Sequence, residues 1–368
     1  MRSFGRLAVA ATLALSFVAA APTCSTPPPP PPPETSTLPP PPPETTVAPP
    51  PPPPETTAPP PPPPETTTPA PPPPPETTAA PPPPPEPQSD MSCNGHPSLC
   101  DKSFGDVVFI GAHDSYAVDK GISISSVASN QYIDVPSQLN MGVRLLQAQT
   151  HLSDDVLHVC HTSCALYDGG SLEDYFKTIS TWLSDDANKN EVLTLVVTNN
   201  ENIDVTVWAD IFKSSGLEQF VYTPPKPAMG RGDWPKMSEL IGAGTRVVVF
   251  MDYTSDTSKV PYILPEFDNM WENKYDETDG NWPCVLDRVN GDAGGKLGMM
   301  NHFLDKSILG ILIPDREGAE GTNSVDSITK NAATCEALGD NLKVTHVLLD
   351  WVDKGQAIEA GRKLNGIS

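Results

Sequence analysis

Residues 107–118 read Val107-Val108-Phe109-Ile110-Gly111-Ala112-His113-Asp114-Ser115-Tyr116-Ala117-Val118. An uninterrupted run of β-branched and aromatic residues is what a strand buried on both faces of a parallel sheet requires. The run stops at a glycine, and a histidine and a carboxylate follow at once. In a parallel α/β barrel the reacting groups stand at the C-terminal ends of the strands. The pair His113-Asp114 therefore either does chemistry or caps a strand, and the ends of the other strands decide between the two.

Similar runs recur at 143–149, 156–160, 192–198, 246–252, 297–303 and 344–351, with an eighth candidate at 308–313. Helical segments lie between them, at 171–183, 205–214 and 238–241; the first opens on Ser171 with Glu173 and Asp174 in its first turn, a start that suits the helix dipole. Strand and helix alternate over the 279 residues from 90 to 368. That pattern predicts an α/β fold, a (β/α)8 barrel of the TIM type. An open doubly wound sheet competes, but no Gly-x-Gly-x-x-Gly follows a strand.

Upstream the composition is different. Arg2 and Arg6, the apolar stretch 7–18 and Ala19-Ala20-Ala21 read as a secretory signal over residues 1–21, too short to span a bilayer. Residues 22–89 form a proline-rich stretch punctuated by Glu34, Glu44, Glu55, Glu65, Glu76 and Glu86. Such a segment is expected to stay disordered, with polyproline II runs acting as a spacer. Its 65 residues from 25 to 89 would reach ~200 Å at ~3.1 Å each. The interleaved threonines suit O-glycosylation. The expected product is a secreted protein, extracellular or wall-associated, without a transmembrane segment in the mature chain.

The full chain carries 23 Lys and Arg against 46 Asp and Glu; without Arg2, Arg6 and the six tail glutamates, the domain keeps 21 against 40, a net charge of −19. Such a surface repels nucleic acid and offers no polybasic patch to anionic lipid. Cys24 sits in the tail, and six cysteines belong to the domain. Six allow fifteen connectivities. The short spacings favour Cys93–Cys100 and Cys160–Cys164, which leaves Cys284–Cys335. A zinc site is the alternative, but the spacings match no common finger or ribbon.

The strand ends collect polar residues. They are His113 and Asp114, Gln147 and Gln149, His161, Asn199 and Asn200, Asp252 and Tyr253, Asn301 and His302, and Asp350. Two histidines and an aspartate on one rim suit paired acid–base chemistry: a neutral imidazole takes a proton, an imidazolium gives one, and a carboxylate sets the tautomer of the base. His158, His302 and His346 read as ordinary polar residues. Gln147, Gln149 and Asn199 are neutral where a Ca²⁺ or Mg²⁺ site wants charge, so no metal and no cofactor is expected. No Gly-x-Ser-x-Gly elbow points to a serine nucleophile.

Several stretches, in order, resemble the X-domain of phosphatidylinositol-specific phospholipases C. They include Gly111-Ala112-His113-Asp114-Ser115, Gly142-Val143-Arg144-Leu145-Leu146-Gln147 and His161. Leu145-Leu146-Gln147-Ala148-Gln149-Thr150-His151, Cys160-His161-Thr162-Ser163-Cys164, Asp168-Gly169-Gly170-Ser171-Leu172-Glu173-Asp174-Tyr175, Val249-Phe250-Met251-Asp252-Tyr253 and Asn301-His302-Phe303-Leu304 are similar to secreted, fungal-type PLC-like phosphodiesterases. The resemblance covers roughly residues 93–366. It implies phosphodiester chemistry on a phospholipid or small phosphodiester, with His113 as general base and His161 as general acid. It further implies that Asp114 helps to handle the phosphate and that Asp350 orients His113. Gln147, Gln149, Asn199, Asp252 and Tyr253 would line the substrate site. Where the family places an arginine or Ca²⁺-binding carboxylates in the second strand, this chain has Gln147 and Gln149. Losing a cation there is worth on the order of 10²–10³ in rate, by analogy with losing an oxyanion donor. A catalytically silent barrel that serves as a binding or cell-surface module is the competing expectation, and a glycerophosphodiesterase with carboxylate metal ligands a third.

Overall fold

The run around Phe109 becomes β1 (Phe109–Ala112), all four residues buried. In the computed structural model residues 91–121, 124–308 and 310–367 are described; the signal segment, the proline-rich stretch and Cys24 lie outside them. After β1 the chain forms α1 (Val135–Met141), β2 (Leu145–Ala148), β3 (Thr150–Ser153), β4 (Val156–His161), β5 (Tyr167–Ser171) and α2 (Leu172–Leu183). Next come β6 (Leu193–Val197), α3 (Val205–Ser214), α4 (Met237–Ala243), β7 (Val247–Met251), β8 (Ile263–Pro265), α5 (Glu266–Asn269) and β9 (Met270–Asn273). The last part holds β10 (Leu286–Arg288), β11 (Leu297–Asn301), β12 (Asp305–Ile308), β13 (Ile311–Pro314), α6 (Ala319–Thr322), α7 (Val325–Glu336), β14 (His346–Leu349) and α8 (Ala357–Leu364).

Eight strands pair in parallel in the order β9-β11-β14-β1-β2-β6-β7-β8, and β10 adds to β9 antiparallel. This is barrel order, curled and open between β8 and β9. The opening follows from the connection. Only α5, four residues long, separates the two strands, whereas a paired parallel crossover needs a dozen or more.

The pleat sorts the apolar residues into two cores. Ile110, Ala112, Leu146, Ala148, Leu193, Leu195, Val197, Val247, Val249, Val347 and Leu349 face the helices in one cluster. Phe109, Leu145, Val196, Val248, Phe250, Leu264, Leu297, Met299 and Leu348 fill the barrel interior in the other. Gly111 is required by close approach: a Cβ there would lie 2.4 Å from Leu145 Cδ2. On α2 the buried positions Leu172, Tyr175, Phe176, Ile179 and Leu183 repeat at helical spacing, and the Ser171 hydroxyl accepts from the Asp174 N–H, a conventional N-cap.

The three disulfides are Cys93–Cys100, Cys160–Cys164 and Cys284–Cys335, as the spacings suggested. Two of the expected barrel strands belong elsewhere. The run 156–160 lies in β4, the middle of an antiparallel β3-β4-β5 meander, and 308–313 belongs to a separate β12–β13 hairpin. The barrel places are taken instead by β8 and β9, three and four residues long. The meander leaves the sheet just past the C-terminal end of β2, which is why His161 still arrives at the C-terminal rim of a barrel it does not help to build. Among the described residues no helix is long and apolar enough to cross a membrane.

Candidate active site

His113 follows β1; two contacts hold its ring and a third its backbone. Its Nδ1–H donates to Asp350 Oδ1 at 2.8 Å. Phe303 stacks face to face on it, with centroids 4.2 Å apart and planes 5° apart. The Gln131 carboxamide donates to the His113 carbonyl at 2.8 Å. Asn130 Nδ2 donates to the same Asp350 oxygen at 3.0 Å, which fixes the carboxylate while it fixes the imidazole. Nδ1 thus carries a proton, and Nε2 is the nitrogen left for chemistry.

Asp114 is fully buried and sits at φ 37, a left-handed conformation that aspartate tolerates better than most residues. Its Oδ1 accepts from the Gln149 N–H at 3.0 Å and the Tyr116 hydroxyl at 3.1 Å. Its Oδ2 has no hydrogen-bond partner. That oxygen lies 3.7 Å from His113 Nε2 and also 3.7 Å from His161 Nε2. His161 presents Nε2 because its Nδ1–H is taken by the Ala128 carbonyl at 2.6 Å. The two rings stand 6.0 Å apart at 74°.

The field of these groups is strong. Burial by itself would lower the His113 pKa, but the charges of Asp350 and Asp114 and the hydrogen bond to Asp350 outweigh it and raise the value to about 9. Asp305, at the start of β12, is pushed up to about 6 by burial and by the charge of Asp350, against the pull of His113 and His161. A cavity of about 290 Å³ opens beside His113, lined also by Gln147, Gln149, Asn200, Asp252, Tyr253, Glu266, Glu272 and Arg288.

Gln147 Oε1 accepts from the Asp114 N–H at 2.7 Å, and Gln149 Oε1 accepts from the Thr162 N–H at 3.1 Å. Both carboxamide oxygens are therefore engaged by backbone donors, and each Nε2 remains as a donor for the cavity. A divalent cation does not fit this pair: neither side chain is charged, and both oxygens are already bonded. Arg288 is the one cation besides His113 among the residues lining this cavity. Its guanidinium is paired with Glu272 and lies 4.6 Å from the Tyr275 ring. Glu266, buried with one oxygen unpaired, has its pKa pushed well above the usual range by burial and by the Glu272 charge. Burial likewise raises Asp252 to about 6, although Asn199 and Tyr253 donate backbone N–H groups to it.

His113, Asp114, His161 and Asp350 are thus brought together, and Gln147, Gln149, Asp252 and Tyr253 line the adjoining cavity. Asn199 does not. Its carboxamide is buried and closes the loop after β6 through both polar groups of Ile203, so Asn200 lines the cavity in its place. His302 and His346 are structural: His302 bonds Thr322 and Asn331, and His346 bonds Thr194 inside the barrel. Arg144 points away from the glutamines to an ion pair with Glu191 at 2.8 Å. Sequence reasoning missed Asn130, Gln131, Asp305, Glu266, Glu272 and Arg288. Phe303 it saw only as part of a motif.

A protein of Arthroderma benhamiae named PI-PLC X domain-containing protein 1 is 39% identical over 285 residues, covering 76% of this chain and 90% of that relative. A second, named an uncharacterized secreted protein, is 37% identical over 297 residues, covering 77% of this chain and 66% of its own length. A mutant of the phosphatidylinositol-specific phospholipase C of Staphylococcus aureus shares the fold at a TM-score of 0.50 and 13% identity, over 73% of this chain and 95% of that one. The family described as PI-PLC X matches residues 99–365. The imidazole pair at the rim of an open parallel barrel is set in a chain that belongs to the PI-PLC X-domain family.

Proposed function

We propose that this protein is a secreted, metal-independent phosphodiesterase that cleaves a phospholipid or a related phosphodiester by histidine acid–base catalysis. One observation carries the reading: the free Nε2 atoms of two imidazoles, each fixed by its Nδ1, converge on one unpaired carboxylate oxygen. His113 Nε2 takes the proton from a substrate hydroxyl next to the phosphate. The oxygen so freed attacks phosphorus, a cyclic phosphodiester forms, and the P–O bond to the second alcohol breaks. His161, protonated on both nitrogens, delivers its Nε2 proton to the departing oxygen. The Nε2 donors of Gln147 and Gln149 supply hydrogen bonds to the phosphate.

Lipid is favoured over a water-soluble ester by the β12–β13 hairpin. It begins two residues after Phe303 and carries Ile308-Leu309-Gly310-Ile311-Leu312-Ile313. Ile311 is 66% exposed, and Val127 on the adjacent 3₁₀ turn 52%. Lys306 at its base is already paired with Asp315 and Glu317. An exposed apolar hairpin that starts at Asp305, close enough to feel the charges of Asp350 and His113, suits an acyl phase. Replacing Ile311 and Leu312 with aspartate should lower turnover on phospholipid vesicles by about tenfold or more, since burying each such side chain is worth ~1.5–3 kcal/mol. Rates on a monomeric soluble phosphodiester should not change. Equal losses on both substrates would remove the hairpin from lipid contact. Secretion is supported by the three disulfides, which suit an oxidising compartment, and by the relative named a secreted protein.

The neutral glutamines, with Arg288 tied to Glu272, favour a second reading, in which the barrel binds a ligand without turning it over. A screen of wild type and His113→Ala on phosphatidylinositol, other phospholipids and glycerophosphodiesters, with Ca²⁺ or EDTA, separates the two. Turnover that requires His113 and ignores EDTA is the expected result. No turnover on any substrate would leave the binding module, and inhibition by EDTA would overturn metal independence.

A further inference from the structure

His161 lies inside a five-residue covalent ring, Cys160-His161-Thr162-Ser163-Cys164, the smallest of the three described disulfide loops. Within it the Ser163 N–H donates to the His161 carbonyl at 2.7 Å, and Thr162 between them sits at φ 63. This is a γ-turn with a positive-φ centre, a rare and strained form, and for a β-branched residue the left-handed region is a genuine outlier. Such a conformation persists only where its surroundings over-determine it. Gln149 reaches the ring at two points: its Oε1 accepts from the Thr162 N–H at 3.1 Å, and its carbonyl accepts from the Cys160 N–H at 3.1 Å. Across the ring the Ala128 carbonyl takes the His161 Nδ1–H.

The stabilisation a disulfide brings to the whole fold grows with the length of chain it closes. Cys284–Cys335 spans 51 residues, whereas Cys160–Cys164 spans 4. The small ring is thus poorly placed to act as a folding cross-link and well placed to act on the one side chain it encloses.

We propose that the Cys160–Cys164 disulfide, together with Gln149, positions His161, holding its Nδ1 against the Ala128 carbonyl and its Nε2 toward the Asp114 oxygen. The inference rests on His161 being the proton donor proposed above. It gives Gln149 a second duty beside its cavity-facing donor.

The test uses the full chain carrying Cys160→Ser and Cys164→Ser, beside a control in which Cys93→Ser and Cys100→Ser remove the other small ring. The first variant should lose about 10–10²-fold in kcat, the scale of a misplaced catalytic group, with KM near wild type and Tm lowered by only a few degrees. The control should keep its kcat. Imidazole ¹⁵N spectra provide a readout that needs no substrate: His161 should show one Nδ1–H tautomer in wild type and a mixture once the ring is opened. Gln149→Ala, which keeps the disulfide, should shift the same spectrum part of the way. Unchanged kcat with an unchanged tautomer would overturn the clamp, and so would a collapse of Tm, which would make the ring a folding cross-link. If wild type turns over no phosphodiester, the functional reading fails, and the spectra still judge the clamp.

Discussion

Replacing His161 with alanine is expected to lower turnover of a phospholipid by about 10²–10⁴-fold, the usual contribution of a general acid, with little change in KM. The expectation follows from its geometry. With Nδ1–H bound by a backbone carbonyl, protonation at Nε2 yields a donor aimed into the site. The role can be separated from mere binding by changing the leaving group. An ester whose alcohol departs without help, such as a nitrophenol, needs no proton and should lose less than about tenfold in the same variant. Equal losses for good and poor leaving groups would remove His161 as the acid. The His113→Ala variant should lose activity on both esters, because the attacking hydroxyl must be deprotonated whatever leaves.

The second large effect concerns Asp350. A base acts in its unprotonated form, and His113 is held charged until about pH 9. On an ester whose alcohol departs without help, so that His161 need not be protonated, the kcat/KM of wild type should therefore rise with pH toward 9. Asp350→Asn removes a charge and a hydrogen bond that both raise the His113 pKa, leaving burial to lower it. The rising limb should move to lower pH, while its plateau drops by about 10²-fold or more as the imidazole loses its orienting partner. A lower plateau with an unmoved limb would show that Asp350 does not set the charge of the base. The same linkage acts on stability. A histidine raised in the folded state contributes stability that is complete below the unfolded value near 6.5 and is lost as pH climbs through about 9. Wild type should thus lose more stability than Asp350→Asn between those limits, as denaturant unfolding at several pH values would record.

Much of this site lies on short local signals. His113 ends an apolar run, and Asp350 ends another at the far end of the domain; their pairing across 237 residues follows once β1 and β14 are neighbours. The helix 171–183 and the two short disulfides are equally local, since caps, periodicity and short loops act over a few residues. The errors share one cause. A run such as 156–160 alternates like any strand, and alternation does not tell which sheet will accept it. Strands of three or four residues, such as β8 and β9, carry too little pattern to be seen.

By itself the sequence determined the barrel class, the histidine that ends the first strand, and the pairing of the cysteines, all from residue type and spacing along the chain; Asp350 as the partner of that histidine came from the family resemblance. Only the tertiary structure decided that Asp114 Oδ2 stands unpaired between two imidazoles, that Asn199 yields its place to Asn200, and that Arg288 enters the cavity already paired. It also decided that His161 comes from a meander outside the barrel. These facts depend on the curl of the sheet and on what each buried polar atom finds within ~3 Å, and neither is written in any short stretch of the chain.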